Sequence, residues 1–260
     1  MVDFQYMGQY GFRDLERIMA LLRTPEGCPW DRVQTHQSIR RNMLEEAYEA
    51  VEAIDEQNPE HLKEELGDVL LQVVFHACMA QEEGWFTLDD VVDGVCKKLV
   101  FRHPHVFGSV DASSTDQALN TWEAQKQEEK GQKSAGDTLD AVARSLPALI
   151  RAEKIQAKAR KAGFDWNDPQ RAVDKLSEEV DELKQAIQDQ SNIQEELGDV
   201  LFAAVKVGRF LDVDSEQALH DTCEKFIRRF RRMEEQAQGM PLDQFALSQL
   251  EQMWEQAKHQ

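Results

Sequence analysis

Apolar residues return at intervals of three and four through most of this chain, and the two-residue alternation of strands is absent. Phe12 to Arg23 puts Leu15, Ile18, Met19 and Leu22 on one stripe, and two prolines and a glycine in Thr24–Asp31 (TPEGCPWD) end it. A second helix is expected from about Thr35 to Glu56, with Ile39, Met43, Ala47, Ala50, Val51 and Ile54 facing inward. Asn58-Pro59, an N-cap followed by proline at the first helical position, starts a third helix that runs to a glycine cap at Gly84. Thr87 with Asp90 resembles a capping box, with Asp in place of Glu or Gln, and opens a fourth helix ending near His103-Pro104.

Gly108 to Asp116 is small and polar, a loop. Thr115 to Lys130 can be helical but is polar nearly all round apart from Ala118, Leu119 and Trp122, and Gly131 to Asp140 is the clearest linker. The expected organisation is a helical domain over 1–107, a linker with a short helix over 108–140, and a second helical domain over 141–260. In the latter, Leu146 to Ala162 stops at Gly163, and Asp168-Pro169 repeats the cap-plus-proline start of a helix to about Gln188. Helices from about Asn192 to Leu211 and from Ser215 to Gln238 follow, and the last segment offers Phe245, Leu250, Met253 and Trp254 for docking. The fold class is all-α.

The two halves are copies. Leu44-Glu45-Glu46-Ala-Tyr-Glu49 matches Ser177-Glu178-Glu179-Val-Asp-Glu182, and Glu64-Glu65-Leu-Gly-Asp68-Val-Leu matches Glu195-Glu196-Leu-Gly-Asp199-Val-Leu. The offset is 133 residues at Glu46/Glu179 and 131 at Asp68/Asp199, a difference expected to fall in the turn between the two helices. Gly27-Cys-Pro-Trp30 pairs with Gly163-Phe-Asp-Trp166, and Lys98-Leu-x-x-Arg102 with Lys225-Phe-x-x-Arg229, in the same order.

The net charge of −19 argues against nucleic acid and anionic membranes as partners. Cys28, Cys78, Cys96 and Cys223 are scattered without a C-x-x-C pair, no apolar run reaches the roughly 20 residues of a membrane span, and MVDFQYMGQY lacks the pattern of a signal peptide; a cytoplasmic protein is expected.

Within each copy, acids three apart share a helical face: Glu179 with Glu182 and Glu196 with Asp199 in the second, Glu46 with Glu49 and Glu65 with Asp68 in the first. For an isolated acidic pair, a solvated face is the ordinary explanation. Here the stripe of Glu196 and Asp199 continues through the packing residues Ala203, Val207 and Phe210, and the set occurs twice. Gly198 sits mid-helix, where it costs up to ~1 kcal/mol relative to Ala, which suggests a close approach beside Asp199. Converging carboxylates call for a cation, and oxygen-only ligands favour Mg²⁺ or Mn²⁺ over zinc. No histidine follows a Glu by three residues, so the di-iron helical-bundle pattern is absent. Arg151, Lys154, Lys158 and Lys161 form one basic stripe before the second acidic set, and Lys225, Arg228, Arg229 and Arg232 another after it; beside a metal site they are candidate phosphate ligands. Trp30 and Trp166 are candidates for stacking on a base, although burial is the commoner role of a single Trp. Neither a phosphate-binding glycine loop nor a nucleophile elbow is present.

With Gly27-Cys-Pro-Trp-Asp31, Arg102-His-Pro-His-Val-Phe107, Ser145-Leu-Pro-Ala-Leu149 and Gly163-Phe-Asp-Trp166, the tandem acidic motifs make the chain resemble, over nearly its whole length, the all-α nucleoside triphosphate pyrophosphohydrolases of the MazG type. The resemblance implies two tandem helical bundles completed by dimerisation, and Mg²⁺-dependent hydrolysis of NTPs and dNTPs to monophosphate and pyrophosphate. It implies metal ligands Glu179, Glu182, Glu196 and Asp199, with Glu46, Glu49, Glu65 and Asp68 as counterparts in the first copy, and catalysis by the second copy. Glu178 or a metal-bound hydroxide would activate water. Lys225 and Arg229 would hold phosphates, joined by Lys154, Lys158 and Trp166. Cys223 departs from the Asn common two residues before that Lys. A non-catalytic helical module that senses nucleotides or binds a protein is the alternative.

Overall fold

A computed structural model describes residues 4–166 and 168–259; the first three residues of the N-terminal stretch and the last of the C-terminal segment read above lie outside these. The described residues contain thirteen α-helices, one 3-10 helix and no strand. The chain divides into Met1–Lys126 and Gln127–Gln260.

In the first unit, α1 (Phe12–Arg23) and the short α2 (Pro29–Arg32) lead to the pair α3 (Arg40–Asp55) and α4 (Pro59–Glu82), followed by α5 (Leu88–Arg102) and α6 (Pro104–Phe107). Asn58 Oδ1 accepts from the His61 amide at 3.3 Å with Pro59 behind it, and Thr87 and Asp90 cap each other as a box. Met19, Ile39, Val74, Phe75, Ala77, Met79 and Leu88 form the core, holding α1 and α5 on the apolar half of α4. α3 begins five residues later than periodicity predicts, because Thr35 and Ser38 exchange amide-to-hydroxyl bonds of 2.9 and 3.2 Å that compete with helix formation. Ile39 and Ala50 are buried as expected, but Val51 and Ile54 are 48% and 56% exposed and Ala47 is exposed, because α3 packs mainly on α4 and that contact covers only part of its apolar stripe.

α7 (Thr115–Glu129) crosses the division between the units. α8 (Ala135–Asp140) occupies the stretch read as linker: Ser134 Oγ accepts from the Asp137 amide, and the Asp137 carboxylate accepts from the Ser134 and Lys133 amides. The second unit then repeats the helix pair, with α9 (Ala148–Lys161), α10 (Pro169–Asp189), α11 (Ile193–Phe210), α12 (Ser215–Gln236), a 3-10 turn (Leu242–Gln244) and α13 (Leu247–Lys258). α10 packs on α11, α9 bridges α11 and α12, and α13 lies on α12, where the half-buried Trp254 ring meets Phe226 at 5.0 Å. Gln156 Nε2 donates to the Phe202 carbonyl at 2.8 Å, tying α9 to α11.

Both helix pairs are joined by three residues, 56–58 and 190–192. The length difference between the copies therefore lies not in the turn but in the second helix. Six residues of α4 precede Glu65, against three of α11 before Glu196, while α3 runs nine residues past Glu46 against ten of α10 past Glu179, which leaves the net two; the extra turn of α4 carries His61.

Candidate functional site

The acids of each copy converge across its helix pair. One carboxylate oxygen each from Glu46 and Glu49 on α3 and Glu65 on α4 lie within 4.8 Å of one another, and Glu179 on α10 with Glu196 and Asp199 on α11 do the same. Spacing of three on one helix and packing of the two helices together produce both clusters. Glu65 and Glu179 are the buried members, each 8% exposed, whereas Glu49 and Asp199 are exposed.

The remaining acids adjoin these clusters. Hydrogen bonding with the neighbouring Glu179 first, then burial and the Glu179 charge, push the Glu182 carboxyl above its ordinary value. In the first copy burial raises Glu46, followed by the charges of Asp68, Glu49 and Glu65. Burial also raises Glu65, with Glu49 adding to it and His61 opposing.

Two further charged side chains touch these carboxylates, neither belonging to the acidic motifs. Lys175 Nζ sits 2.8 Å from Glu178 and 2.9 Å from Glu179, and hydrogen bonds to those carboxylates hold the lysine well above its ordinary range. His61 lies between Glu56 (2.8 Å) and Glu65 (3.3 Å), its charged form favoured first by Glu56. Both contacts with a buried acid, Lys175–Glu179 and His61–Glu65, are i,i+4 pairs that the sequence contains in plain view.

The oxygen-only donor sets fit a hard divalent cation. Glu65 Oε2 is buried without a hydrogen-bond partner among the described residues, and in the second copy Lys175 pairs with Glu178 and Glu179. Gly198 does not mark a close approach within the chain: a Cβ there would meet nothing within 4 Å, and the same holds for Gly67.

The expected phosphate and base ligands are distributed more widely. Lys158 and Lys161 line a hollow with Gln127, Gln132 and Lys133, while Lys154 is exposed. Lys225 is exposed, and the Arg229 guanidinium lies 5.8 Å from the ring centre of Trp254, which sequence reading assigned only to docking. Lys206 Nζ stands 3.7 Å over the Trp166 ring, and Trp30 is 56% exposed rather than buried. Beside Trp166, burial works to raise the Asp165 carboxyl, but the Arg209 hydrogen bond of 2.7 Å, the Trp166 amide and Lys206 outweigh it and hold it below its ordinary value.

Residues 34–107 and 167–233 each match the model of the MazG nucleotide pyrophosphohydrolase domain. The chain belongs to the MazG nucleotide pyrophosphohydrolase family. It is 47% identical over 95% of both chains to a Thermotoga maritima protein named nucleoside triphosphate pyrophosphohydrolase/pyrophosphatase MazG. It is 46% identical, over 94% of this chain and 95% of the relative, to a nucleoside triphosphate pyrophosphohydrolase of Escherichia coli K12. An uncharacterised Bacillus subtilis protein, YabN, is 45% identical over 95% of this chain and 51% of its own length. The two MazG segments contain both acidic clusters, Lys175, Lys225 and Arg229, whereas Lys154, Lys158, Trp166 and Trp254 lie outside them.

Proposed function

We propose that this MazG-family chain is an enzyme that hydrolyses nucleoside and deoxynucleoside triphosphates to monophosphate and pyrophosphate in the cytoplasm, clearing unwanted nucleotides. The observation that carries the reading is the convergence of Glu179, Glu196 and Asp199 from two helices, in a family of nucleotide pyrophosphohydrolases. In this reading the second domain, 141–260, is catalytic, the first spans 1–107, and residues 108–140 connect them.

Glu179, Glu182, Glu196 and Asp199 would hold Mg²⁺, with Mn²⁺ as a substitute, and Glu46, Glu49, Glu65 and Asp68 would do so in the first copy. A bound divalent cation supplies neutralisation of phosphate oxygens and a more acidic water. The chain's own groups do the rest. Lys175 fixes Glu178 Oε1 at 2.8 Å and leaves the other carboxylate oxygen to take a proton from water attacking the α-phosphorus. Lys225 and Arg229 neutralise the departing pyrophosphate. Lys154 and Lys158 add positive charge toward the polyphosphate, and Trp166 offers a ring to the base.

A homodimer belongs to this reading. Equivalent apolar residues are exposed in both copies: Ile54 and Ile187 at 56% and 55%, Leu66 and Leu197 at 53% and 48%. With a net charge of −19, nucleic acid and membrane surfaces are not partners in this reading.

The test is a product-resolved assay with each common dNTP and NTP and Mg²⁺. Monophosphate plus pyrophosphate is expected; orthophosphate plus a diphosphate would overturn the reading. Thermal stabilisation by nucleotide with no turnover would support the non-catalytic sensor instead.

A further inference from the structure

The two acidic clusters share a motif but not their countercharge. In the second copy Lys175, four residues before Glu179, already occupies the carboxylates at 2.8 and 2.9 Å. At the matching place in the first copy stands Asn42, and the adjacent Arg41 bonds instead to Glu45 at 2.6 Å. Among the described residues no lysine or arginine comes within ion-pair distance of Glu46, Glu49 or Glu65. The neighbouring histidine is His61, brought by the extra helical turn at the start of α4, and it engages Glu65 through Oε1 only. Glu65 Oε2 remains buried and without a donor, on a residue 8% exposed and within the cluster of Glu46 and Glu49. A buried carboxylate oxygen without a protein donor is costly, and two further carboxylates beside it add repulsion.

We infer that the first copy holds a resident divalent cation in the absence of nucleotide, bound by Glu46, Glu49 and Glu65, whereas the second copy takes its cation together with the nucleotide. The physical cause is the lysine. A cation entering the second cluster must displace Lys175 or share its carboxylates with a like charge, and added phosphate charge offsets that repulsion. In the first cluster the described neighbour of that kind is His61, which reaches a single oxygen of Glu65 and leaves Oε2 open to the ion. The two halves of the chain then divide the work: one a standing cation site, the other a site assembled with substrate. The inference rests on the metal-binding part of the function proposed above.

Mn²⁺ titration of the full chain without nucleotide, with free Mn²⁺ read by electron paramagnetic resonance, tests it. One ion per chain is expected to bind at least roughly tenfold more tightly than a second. Glu65→Gln and Glu49→Gln should each remove the tighter ion, Glu196→Gln should spare it, and Lys175→Gln should strengthen the weaker one toward it. Circular-dichroism melts identify any variant that fails to fold, and the two first-copy variants check each other. Two equal sites, no binding without nucleotide, or loss of the tighter ion in Glu196→Gln with retention in Glu49→Gln would overturn the inference. A chain that binds Mn²⁺ in its first copy yet yields no pyrophosphate overturns the enzyme reading and leaves this one standing.

Discussion

Glu182 is exposed on α10, one helical turn from the buried Glu179, while Glu49 holds the matching place on α3. Removing one charged group that acts on a phosphoryl transition state typically costs two to three orders of magnitude. Glu182→Gln should therefore lower pyrophosphate release by at least about a hundredfold, and Glu49→Gln should cost far less; equal losses in steady-state assays would refute the division between the copies. A second residue-scale test concerns His36 and His76, whose Nδ1 atoms lie 2.7 Å apart with the His36 ring stacked on Trp85. That contact needs one nitrogen to donate and the other to accept, so a second proton breaks it. Burial first, and then His36, lowers the His76 pKa below its ordinary 6.5. The unfolded chain then binds more protons below pH 6.5, and stability falls as pH falls through that value. His61 is shifted the other way, so the useful quantity is a difference. Wild type minus His76→Gln, in urea melts, should lose stability between pH 6.5 and 5.5, and a flat difference would contradict the pairing.

At the scale of elements, the start of a helix decides more here than its interior. Asn58 and Asp168 each accept an amide hydrogen bond in front of a proline, at 3.3 and 2.9 Å, and open α4 and α10. Asn58→Ala and Asp168→Ala should each cost about 1 kcal/mol in denaturant unfolding, with no change in pyrophosphate release at saturating substrate. These starts were legible because a capping side chain and proline announce themselves locally. The start of α3 was not, because Thr35 and Ser38 satisfy each other's amides in a turn that periodicity does not register. The capping box of α8 was overlooked for a related reason: Gly131 and Gly136 gave the stretch the look of a linker while Ser134 and Asp137 closed a short helix.

At the scale of the molecule, large apolar residues are exposed at equivalent places of the two copies, Ile54 with Ile187 and Leu66 with Leu197, which is what the dimer proposed above would cover. Ile187→Lys should therefore shift the mass measured by light scattering behind a sizing column from two chains toward one. A wild-type protein that runs as one chain would remove the dimer from the proposal.

By itself the sequence determined the helical class, the duplication and three of the four acids that meet in each copy, Asp68 and Glu182 lying outside the clusters, because those follow from periodicity, from repeated motifs and from spacing of three on a helix. The i,i+4 neighbours Lys175 and His61 are also written in the sequence. Only tertiary structure decided that Glu65 and Glu179 are the buried acids, that Glu65 Oε2 lacks a donor, and that the space beside Gly198 is open, because these depend on how deeply each helix is covered. Packing likewise left half of the stripe on α3 exposed, since an amphipathic pattern states that a face is apolar but not which surface covers it.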